Sequence, residues 1–120
     1  MDNNTSTVGT GRSLVDFGEA VKALKEGKRI QRRGWNGKGM FVFMQVPSSV
    51  PAEFVPKMSS LPETVKEAFS RRFDSMSKDL KGDADIRYQN QLAMVYPDNN
   101  IYGWLASPSD LLSEDWMILD

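Results

Sequence analysis

Apolar residues recur at helical spacing in two stretches of the chain. The first lies between Asp16 and Gly27, where Asp16 can cap a helix, Glu19 can reach back to it and Gly27 can end it. The second follows Pro62 and is predicted to end near Lys81-Gly82. Both stretches therefore predict amphipathic helices. The apolar stripes are Phe17, Ala20, Val21 and Leu24 in the first helix, and Val65, Ala68, Phe69, Phe73, Met76 and Leu80 in the second.

Shorter apolar runs predict strands. Lys28 to Arg33 alternates around Ile30, which is expected to face the core. Met40 to Val46 is apolar except at Gln45, which predicts a central strand covered on both faces. Because a chain of 120 residues is long enough for only one core, a partner subunit is the expected source of the second cover.

The segment after the central strand carries the opposite signal. Pro47 to Pro62 contains prolines and paired serines, which predict a loop because proline supports neither a strand ladder nor a helix interior. Phe54, Val55 and Met58 are apolar, so the loop is expected to pack against the fold.

A hairpin is predicted in the second half of the chain. Ile86 to Tyr96 predicts a strand interrupted at Gln89 to Gln91. The turn signal Pro97 to Asn100 then leads into a returning arm, Ile101 to Trp104.

Ser107 begins a further short helix, with Pro108 at its first position and Asp110 at its third, and Trp116 to Leu119 closes the chain as a strand. These elements predict an α+β fold: a small antiparallel sheet, an N-terminal helix, an inserted helix and a short capped helix before the last strand.

Residues 1–12 are polar and predict a disordered leader, and residues 13–120 are expected to form a single domain.

Composition narrows the function classes. The chain has no Cys and no His, which excludes disulfides, thiol nucleophiles, thiolate metal sites and the usual general base near neutral pH. No catalytic residue, metal site or cofactor is predicted. A net charge of −1 and the lack of a long apolar stretch predict neither duplex nucleic acid nor a membrane as a partner.

Charge is unevenly distributed along the chain. The first third is basic, and no Lys or Arg follows Leu92. One interpretation is that the two ends pair within or between subunits, and the sharper one is an anion site at the basic end.

The segment Gly34 to Gly37 is the best candidate for a binding site. Its glycines allow a ligand to approach the backbone, the indole of Trp35 can stack on a purine, and Asn36 offers a donor and an acceptor. Arg32 and Arg33 can bind phosphate. The alternatives are a tight turn with a structural tryptophan and, for the two arginines, a solvated strand end.

Ser107, Ser109 and Asp110 form a second candidate, because a helix N-terminus suits an anion or a hydroxyl group. Asp110 favours a ribose hydroxyl or an exocyclic amine over a phosphate. The alternative is ordinary helix capping. Trp104 and Trp116 are expected to fill the core or an interface. The role of Tyr88 is ambiguous from the sequence.

Three segments of the chain resemble a known family when taken in order. They are Asp16-Phe17-Gly18-Glu19-Ala20 with Ala23-Leu24-Lys25-Glu26-Gly27-Lys28, then Arg32-Arg33-Gly34-Trp35-Asn36-Gly37-Lys38-Gly39-Met40, then Trp104-Leu105-Ala106-Ser107-Pro108-Ser109-Asp110-Leu111-Leu112 with Glu114-Asp115-Trp116. In this order they resemble the second family of Thoeris anti-defence proteins, which are small phage proteins.

The resemblance implies a sponge that binds glyco-cyclic ADP-ribose immune signals without cleaving them, so that the Thoeris effector is not activated. It implies a homotetramer with ligand pockets between subunits, acting in the cytoplasm of the infected bacterial host. The resemblance also implies capture of the cyclic di- or trinucleotides of a second defence system, CBASS.

Carried onto this chain, the resemblance implies that Trp35 and Asn36 stack on and read adenine, with Arg33 near the pyrophosphate. Ser107, Ser109 and Asp110 would meet ribose hydroxyls or a base. The predicted ligand-binding set is Arg33, Trp35, Asn36, Gly37, Gly39, Tyr88, Gln91, Trp104, Ser107, Ser109 and Asp110.

One stretch departs from the family pattern. Residues 54–82 are an insertion relative to compact members, and the insertion is expected to supply a lid, a tetramer contact or a second anion site built from Lys66, Arg71 and Arg72. Three alternatives to the main hypothesis remain: a hydrolase of the same signal, a protein-binding inhibitor of a defence enzyme, and a sponge mainly for cyclic oligonucleotides.

Overall fold

The computed structural model describes residues 13–35, 38–76 and 84–119. Contacts divide the chain into two compact units. The main unit runs up to Gln45 and resumes at Asn90, and the insert unit is Val46–Gln89. Within the described residues the elements are α1 (Phe17–Lys25), β1 (Arg29–Arg32), β2 (Phe41–Met44), β3 (Ser48–Pro51), α2 (Glu63–Ser75), β4 (Asp85–Tyr88), β5 (Leu92–Val95), β6 (Ile101–Gly103), α3 (Pro108–Leu112) and β7 (Trp116–Leu119), with 3₁₀ turns at Arg33–Trp35 and Ala52–Lys57.

The main unit is built on a five-stranded antiparallel sheet in the order β6-β5-β2-β1-β7. The predicted central strand is confirmed, since β2 lies between β5 and β1. Ile30 pairs with Val42, which pairs with Met94, and all three are buried. Phe41 and Phe43 are half-buried, so cover on their face is partial within the described chain. The predicted α+β class is confirmed.

Helix α1 covers the core face of this sheet with Ala20, Ala23 and Leu24. Its predicted start is confirmed, because the Asp16 carboxylate accepts a hydrogen bond from the Glu19 amide at 2.9 Å. The Glu19 side chain forms an ion pair with Lys22 at 3.1 Å instead of reaching back to the cap. Just beyond α1, Gly27 has φ +87°, a conformation that glycine adopts without strain.

The insert unit corrects the prediction of a loop over Pro47 to Pro62. Residues Ser48–Pro51 form β3, which pairs with β4, and Ala52–Lys57 form a 3₁₀ turn. In a two-stranded ribbon each strand has a free edge, where proline removes no ladder bond. Val55 is buried as expected, but Phe54 is about half exposed.

The predicted strand Ile86 to Tyr96 is two strands in different sheets. The break falls at the predicted position, since β4 ends at Tyr88 and β5 begins at Leu92. Helix α2 ends at Ser75, earlier than predicted, and Lys81-Gly82 lie outside the described residues. None of its residues is buried, although Phe69 and Phe73 are half-buried and stack with ring centroids 6.0 Å apart.

The predicted hairpin between β5 and β6 is confirmed. The turn is closed by Asp98, whose carboxylate accepts hydrogen bonds from the backbone and side chain of Asn100, and by Asn99 at φ 70°. Among the described residues, no helix has the length and apolar character needed to cross a membrane. The division into a leader, a domain over residues 13–120 and an insertion over 54–82 remains a prediction.

Candidate functional site

An aromatic cluster of Phe17, Trp35, Trp104 and Trp116 packs against the core of the main unit. Trp116 is wholly buried at its centre, with ring centroids 5.4 Å from Phe17, 5.6 Å from Trp35 and 6.0 Å from Trp104. Both tryptophan neighbours meet Trp116 edge to face, a favourable arrangement of ring quadrupoles. Trp35 and Trp104 are half-buried, so each ring is anchored on the core while part of it stays exposed.

The Trp35 turn (Arg33–Trp35) follows β1 and is held by Asp115. The Arg33 amide donates to the Asp115 carbonyl at 2.9 Å, and the Gly34 amide donates to Asp115 Oδ2 at 3.1 Å. A Cβ at Gly34 would lie 3.3 Å from that oxygen, so glycine permits this close approach. Gly39 has φ +78°, a conformation that favours glycine, whereas Asn36 and Gly37 lie outside the described residues.

Helix α3 begins with the predicted capping box. Ser107 Oγ accepts from the Asp110 amide at 3.1 Å, and Asp110 Oδ2 accepts from the Ser107 amide at 2.9 Å, with Pro108 at the first helical position. Both side chains therefore have a structural use. Within the described residues, the exposed hydroxyl of Ser109 makes no hydrogen bond.

Arg32 joins the turn and the helix. Its Nε donates to Asp115 Oδ1 at 2.9 Å and its NH1 donates to Asp110 Oδ1 at 3.0 Å. The side chains of Arg32, Asp110 and Asp115 are 21%, 14% and 28% exposed. Each carboxylate also accepts one backbone amide through its second oxygen, so one guanidinium connects Gly34 to Ser107 through two carboxylates.

The pKa values of this Arg32 clamp (Arg32, Asp110 and Asp115) follow from these contacts. The hydrogen bond to Asp115 raises the pKa of Arg32 above its ordinary value, against the effect of burial. Burial raises the pKa of Asp110 and of Asp115, but the hydrogen bonds outweigh it and leave both pKa values lowered. At neutral pH the clamp holds one positive and two negative charges.

Arg33 differs from its neighbour. Its side chain is exposed and forms no ion pair with the described residues, although its backbone is fixed by Asp115. Phosphate binding by Arg32 and Arg33 stays a prediction, and two of the Arg32 donors, Nε and NH1, already bind carboxylates.

The structure brings three predicted site residues of the main unit together at the aromatic cluster. Trp35 and Trp104 belong to it, and Asp110 touches it through its carbonyl, which accepts a hydrogen bond from Trp116 Nε1 at 2.9 Å. The Gln91 side chain donates to Gln45 at 2.7 Å, and the next residue, Leu92, accepts a backbone hydrogen bond from Trp104 at 2.9 Å. Gln91 lines an open concavity of about 300 Å³ whose walls are Val21, Leu24, Lys25, Met44, Asn90, Gln91 and Leu92.

The other predicted residues belong to the insert unit. Lys66 donates to the Pro56 carbonyl at 3.0 Å and pairs with Glu63 at 3.1 Å, so its charge has a local structural use. Arg71 is exposed, and Arg72 lies 6.0 Å from the centre of the Phe69 ring.

Tyr88 lines a second concavity of about 370 Å³ in the insert unit, with Leu61, Phe69, Asp85, Ile86 and Arg87. Asp85 Oδ1 is buried there and accepts no hydrogen bond from the described residues. The exposed guanidinium of Arg87 forms an ion pair with it at 3.0 Å, without hydrogen-bond alignment.

Sequence reasoning missed Asp115 as the residue that holds the Trp35 turn. The antiparallel pairing of β1 with β7 places Arg32 opposite Trp116, and this brings Asp115 beside Arg32 and Gly34. The signal was present in the Glu114-Asp115-Trp116 motif, but using it requires knowing that the first and last strands pair.

The fold and the candidate site define a small α+β protein organised around an aromatic cluster. The Arg32 clamp lies beside the half-buried Trp35. The family model for the Thoeris anti-defence 2-like domain matches residues 15–119, and the chain belongs to that family. It is 29% identical over 108 residues to Thoeris anti-defence 2 of Bacillus phage SP01, an alignment that covers 90% of this chain and 98% of the relative. The resemblance inferred from the three segments is thus confirmed. Membership supports a phage anti-defence role directed at Thoeris.

Proposed function

We propose that the protein is a non-catalytic sponge that sequesters glyco-cyclic ADP-ribose signals in the cytoplasm of the infected host. The observation that supports it most is the Trp35 ring, half-exposed yet fixed edge to face on the buried Trp116 at 5.6 Å. A ring held in one orientation loses little freedom when a base stacks on it, so more of the stacking energy contributes to affinity.

The base, the pyrophosphate and the ribose hydroxyls of the signal each have a proposed partner in this chain. Base stacking on an aromatic side chain is worth about 1–3 kcal/mol. The exposed guanidinium of Arg33 suits the pyrophosphate, since Arg forms bidentate, charge-assisted hydrogen bonds with phosphate. Asn36 is proposed to read the adenine edge.

Ribose hydroxyls have two proposed partners on α3. The Ser109 hydroxyl is exposed, and the oxygens of Asp110 each retain capacity for a further hydrogen bond beyond those from Arg32 and Ser107. Ser107 Oγ already accepts a hydrogen bond from the Asp110 amide. It would meet a ribose hydroxyl through its own proton or its second lone pair.

The proposal includes a homotetramer with pockets between subunits. It is supported by large apolar side chains that the described chain leaves exposed in the main unit, and by the partial cover of Phe41 and Phe43 on the sheet. The most exposed of them are Ile101, Tyr102, Leu105, Leu111 and Leu112. Light scattering after size exclusion gives the mass directly, and a monomer at micromolar concentration contradicts this part of the proposal.

The decisive test of sequestration is recovery of the ligand. The protein is loaded with glyco-cyclic ADP-ribose, denatured, and the supernatant is separated by chromatography. A sponge returns the intact molecule in stoichiometric amount, whereas a hydrolase returns an altered nucleotide. A protein-binding inhibitor gives no heat with any nucleotide in calorimetry and instead co-purifies with its target enzyme.

The insert unit supports a second candidate ligand class, the cyclic di- and trinucleotides. Arg71 and Arg72 are exposed on α2, and a phosphate would meet them without displacing an ion pair to the described residues. Calorimetric titration against a panel of cyclic nucleotides tests this, with Arg71→Gln/Arg72→Gln as the variant. Lys66 is left in place because its charge is already paired.

A further inference from the structure

Two adjacent arginines of the main unit have different surroundings, and the difference bears on how the proposed site is assembled. Arg32 donates to two carboxylates, and neither Asp110 nor Asp115 is more than a third exposed. Arg33 is exposed and makes no ion pair with the described residues. The two side chains therefore cannot play the same part toward an anionic ligand.

The clamp connects segments that are far apart in the sequence. Arg32 lies 83 residues from Asp115 and 78 from Asp110. Through Asp115 it reaches the Gly34 amide beside Trp35, and through Asp110 it reaches the Ser107 amide at the start of α3. Loss of the guanidinium would leave two carboxylates facing each other across the gap between the Trp35 turn and α3.

The charge of the clamp also argues against a ligand role for Arg32. With both carboxylates ionised, the three groups carry a net charge of −1, so a pyrophosphate approaching Arg32 meets excess negative charge. Two of the five N–H donors of Arg32 are already directed at carboxylates, whereas Arg33 makes no ion pair with the described residues.

We propose that Arg32 is a positioning residue that fixes the Trp35 turn against α3 before any ligand arrives, and that Arg33 alone of the pair contacts the anionic part of the ligand. The claim about Arg33 is the ligand arm of this inference, and it rests on the proposed function. The claim about Arg32 is the structural arm, and it rests on the clamp geometry alone. It deepens the sponge proposal, because a preassembled site loses less entropy on binding and releases its ligand more slowly.

The structural arm is tested without ligand by amide hydrogen exchange. In Arg32→Lys a single ammonium cannot reproduce the two differently directed donors, so the Gly34 amide should exchange about tenfold faster while the Val42 amide in the core strand is unchanged. Asp115→Asn should give the same acceleration at Gly34. Arg33→Gln is the matched control and should leave Gly34 exchange at the parent rate. An unchanged Gly34 rate in both Arg32→Lys and Asp115→Asn overturns the proposal.

The ligand arm uses titration with glyco-cyclic ADP-ribose at several salt concentrations. Arg33→Gln should lower affinity about tenfold or more and flatten the salt dependence, because it removes a charge that meets the ligand. Arg32→Gln/Asp115→Asn removes the guanidinium but keeps the net charge of the clamp at −1, so it should lower affinity while keeping the parent's salt dependence. The double variant Arg32→Lys/Asp115→Asn should bind no more weakly than the weaker single, because the two residues act as one unit.

The outcomes separate the two proposals. If Arg32→Gln/Asp115→Asn flattens the salt dependence as Arg33→Gln does, Arg32 contacts the ligand and the positioning role is wrong. If the parent protein binds no cyclic nucleotide, the sponge proposal and the ligand arm fail together, and the Gly34 exchange rates still decide whether Arg32 fixes the turn. A role confined to stability would lower the unfolding temperature of Arg32→Lys without changing either Gly34 exchange or the affinity of the folded protein.

Discussion

The main unit and the insert unit use their charged residues differently. In the main unit, Arg32 bridges Asp110 and Asp115 across 78 and 83 residues of sequence. Among the described residues of the insert unit the ion pairs are local, Lys66 with Glu63 and Arg87 with Asp85, and each has one strongly exposed member, at 84% for Glu63 and 65% for Arg87. Long-range, partly buried pairs fix the relative positions of loops, whereas local exposed pairs add little beyond the helix or strand that holds them.

Packing shows the same contrast. The main unit buries Trp116, Leu24, Ile30 and Val42 completely, while α2 buries none of its residues. We therefore expect the main unit to determine the stability of the fold and the geometry of the Trp35 turn. The insert unit is expected to tolerate substitution and to contribute exposed cations.

The largest effect is expected at the centre of the aromatic cluster. Trp116→Ala removes a wholly buried ring and should lower the free energy of unfolding by about 3–5 kcal/mol in denaturant titration. The half-buried Phe73→Ala of α2 should cost only about 1 kcal/mol. Equal losses in the two variants would contradict the contrast between the units.

A smaller effect is expected from the clamp. Asp115→Asn leaves Arg32 without one of its two carboxylates and weakens the bond to Gly34, and should cost about 2 kcal/mol in the same measurement. Arg87→Gln breaks an ion pair of similar length whose arginine is mostly exposed, and should cost less than about 0.5 kcal/mol. A loss in Arg87→Gln as large as that in Asp115→Asn would show that burial does not distinguish the two pairs.

The pH dependence of stability should also come mainly from the clamp. The pKa values of Asp110 and Asp115 are lowered by folding, so their contribution is complete above the unfolded value of about 3.9 and is lost as the pH falls through the folded values. Unfolding free energy should therefore drop below about pH 4, and drop less steeply in Asp115→Asn than in the parent. Parallel pH profiles for the two proteins would place the acid sensitivity in other groups.

Local signals in the sequence were sufficient for the parts of the fold that depend on near neighbours. The cap of Asp16 on Glu19, the Pro97 to Asn100 turn and the box at Ser107 were all predictable, because each is satisfied within four residues. Strand β3 was missed because its pairing with β4 lies across α2, and proline argued against it.

The candidate site shows the same limit. Trp35 could be singled out from its glycine neighbours, but its anchoring on Trp116 and the restraint of its turn by Asp115 depend on the pairing of β1 with β7. Arg32 and Arg33 are indistinguishable in sequence. Only the position of Asp110 and Asp115 in space separates the arginine of the clamp from the exposed one.

The most direct test of the sponge account is titration of Trp35→Ala and Trp35→Phe with glyco-cyclic ADP-ribose, with assembly and unfolding measured in parallel. The account predicts that Trp35→Ala keeps its fold and assembly but loses about 1–3 kcal/mol of binding free energy, and that Trp35→Phe, which retains a stacking ring, loses less. Binding by Trp35→Ala as tight as that of the parent would contradict it.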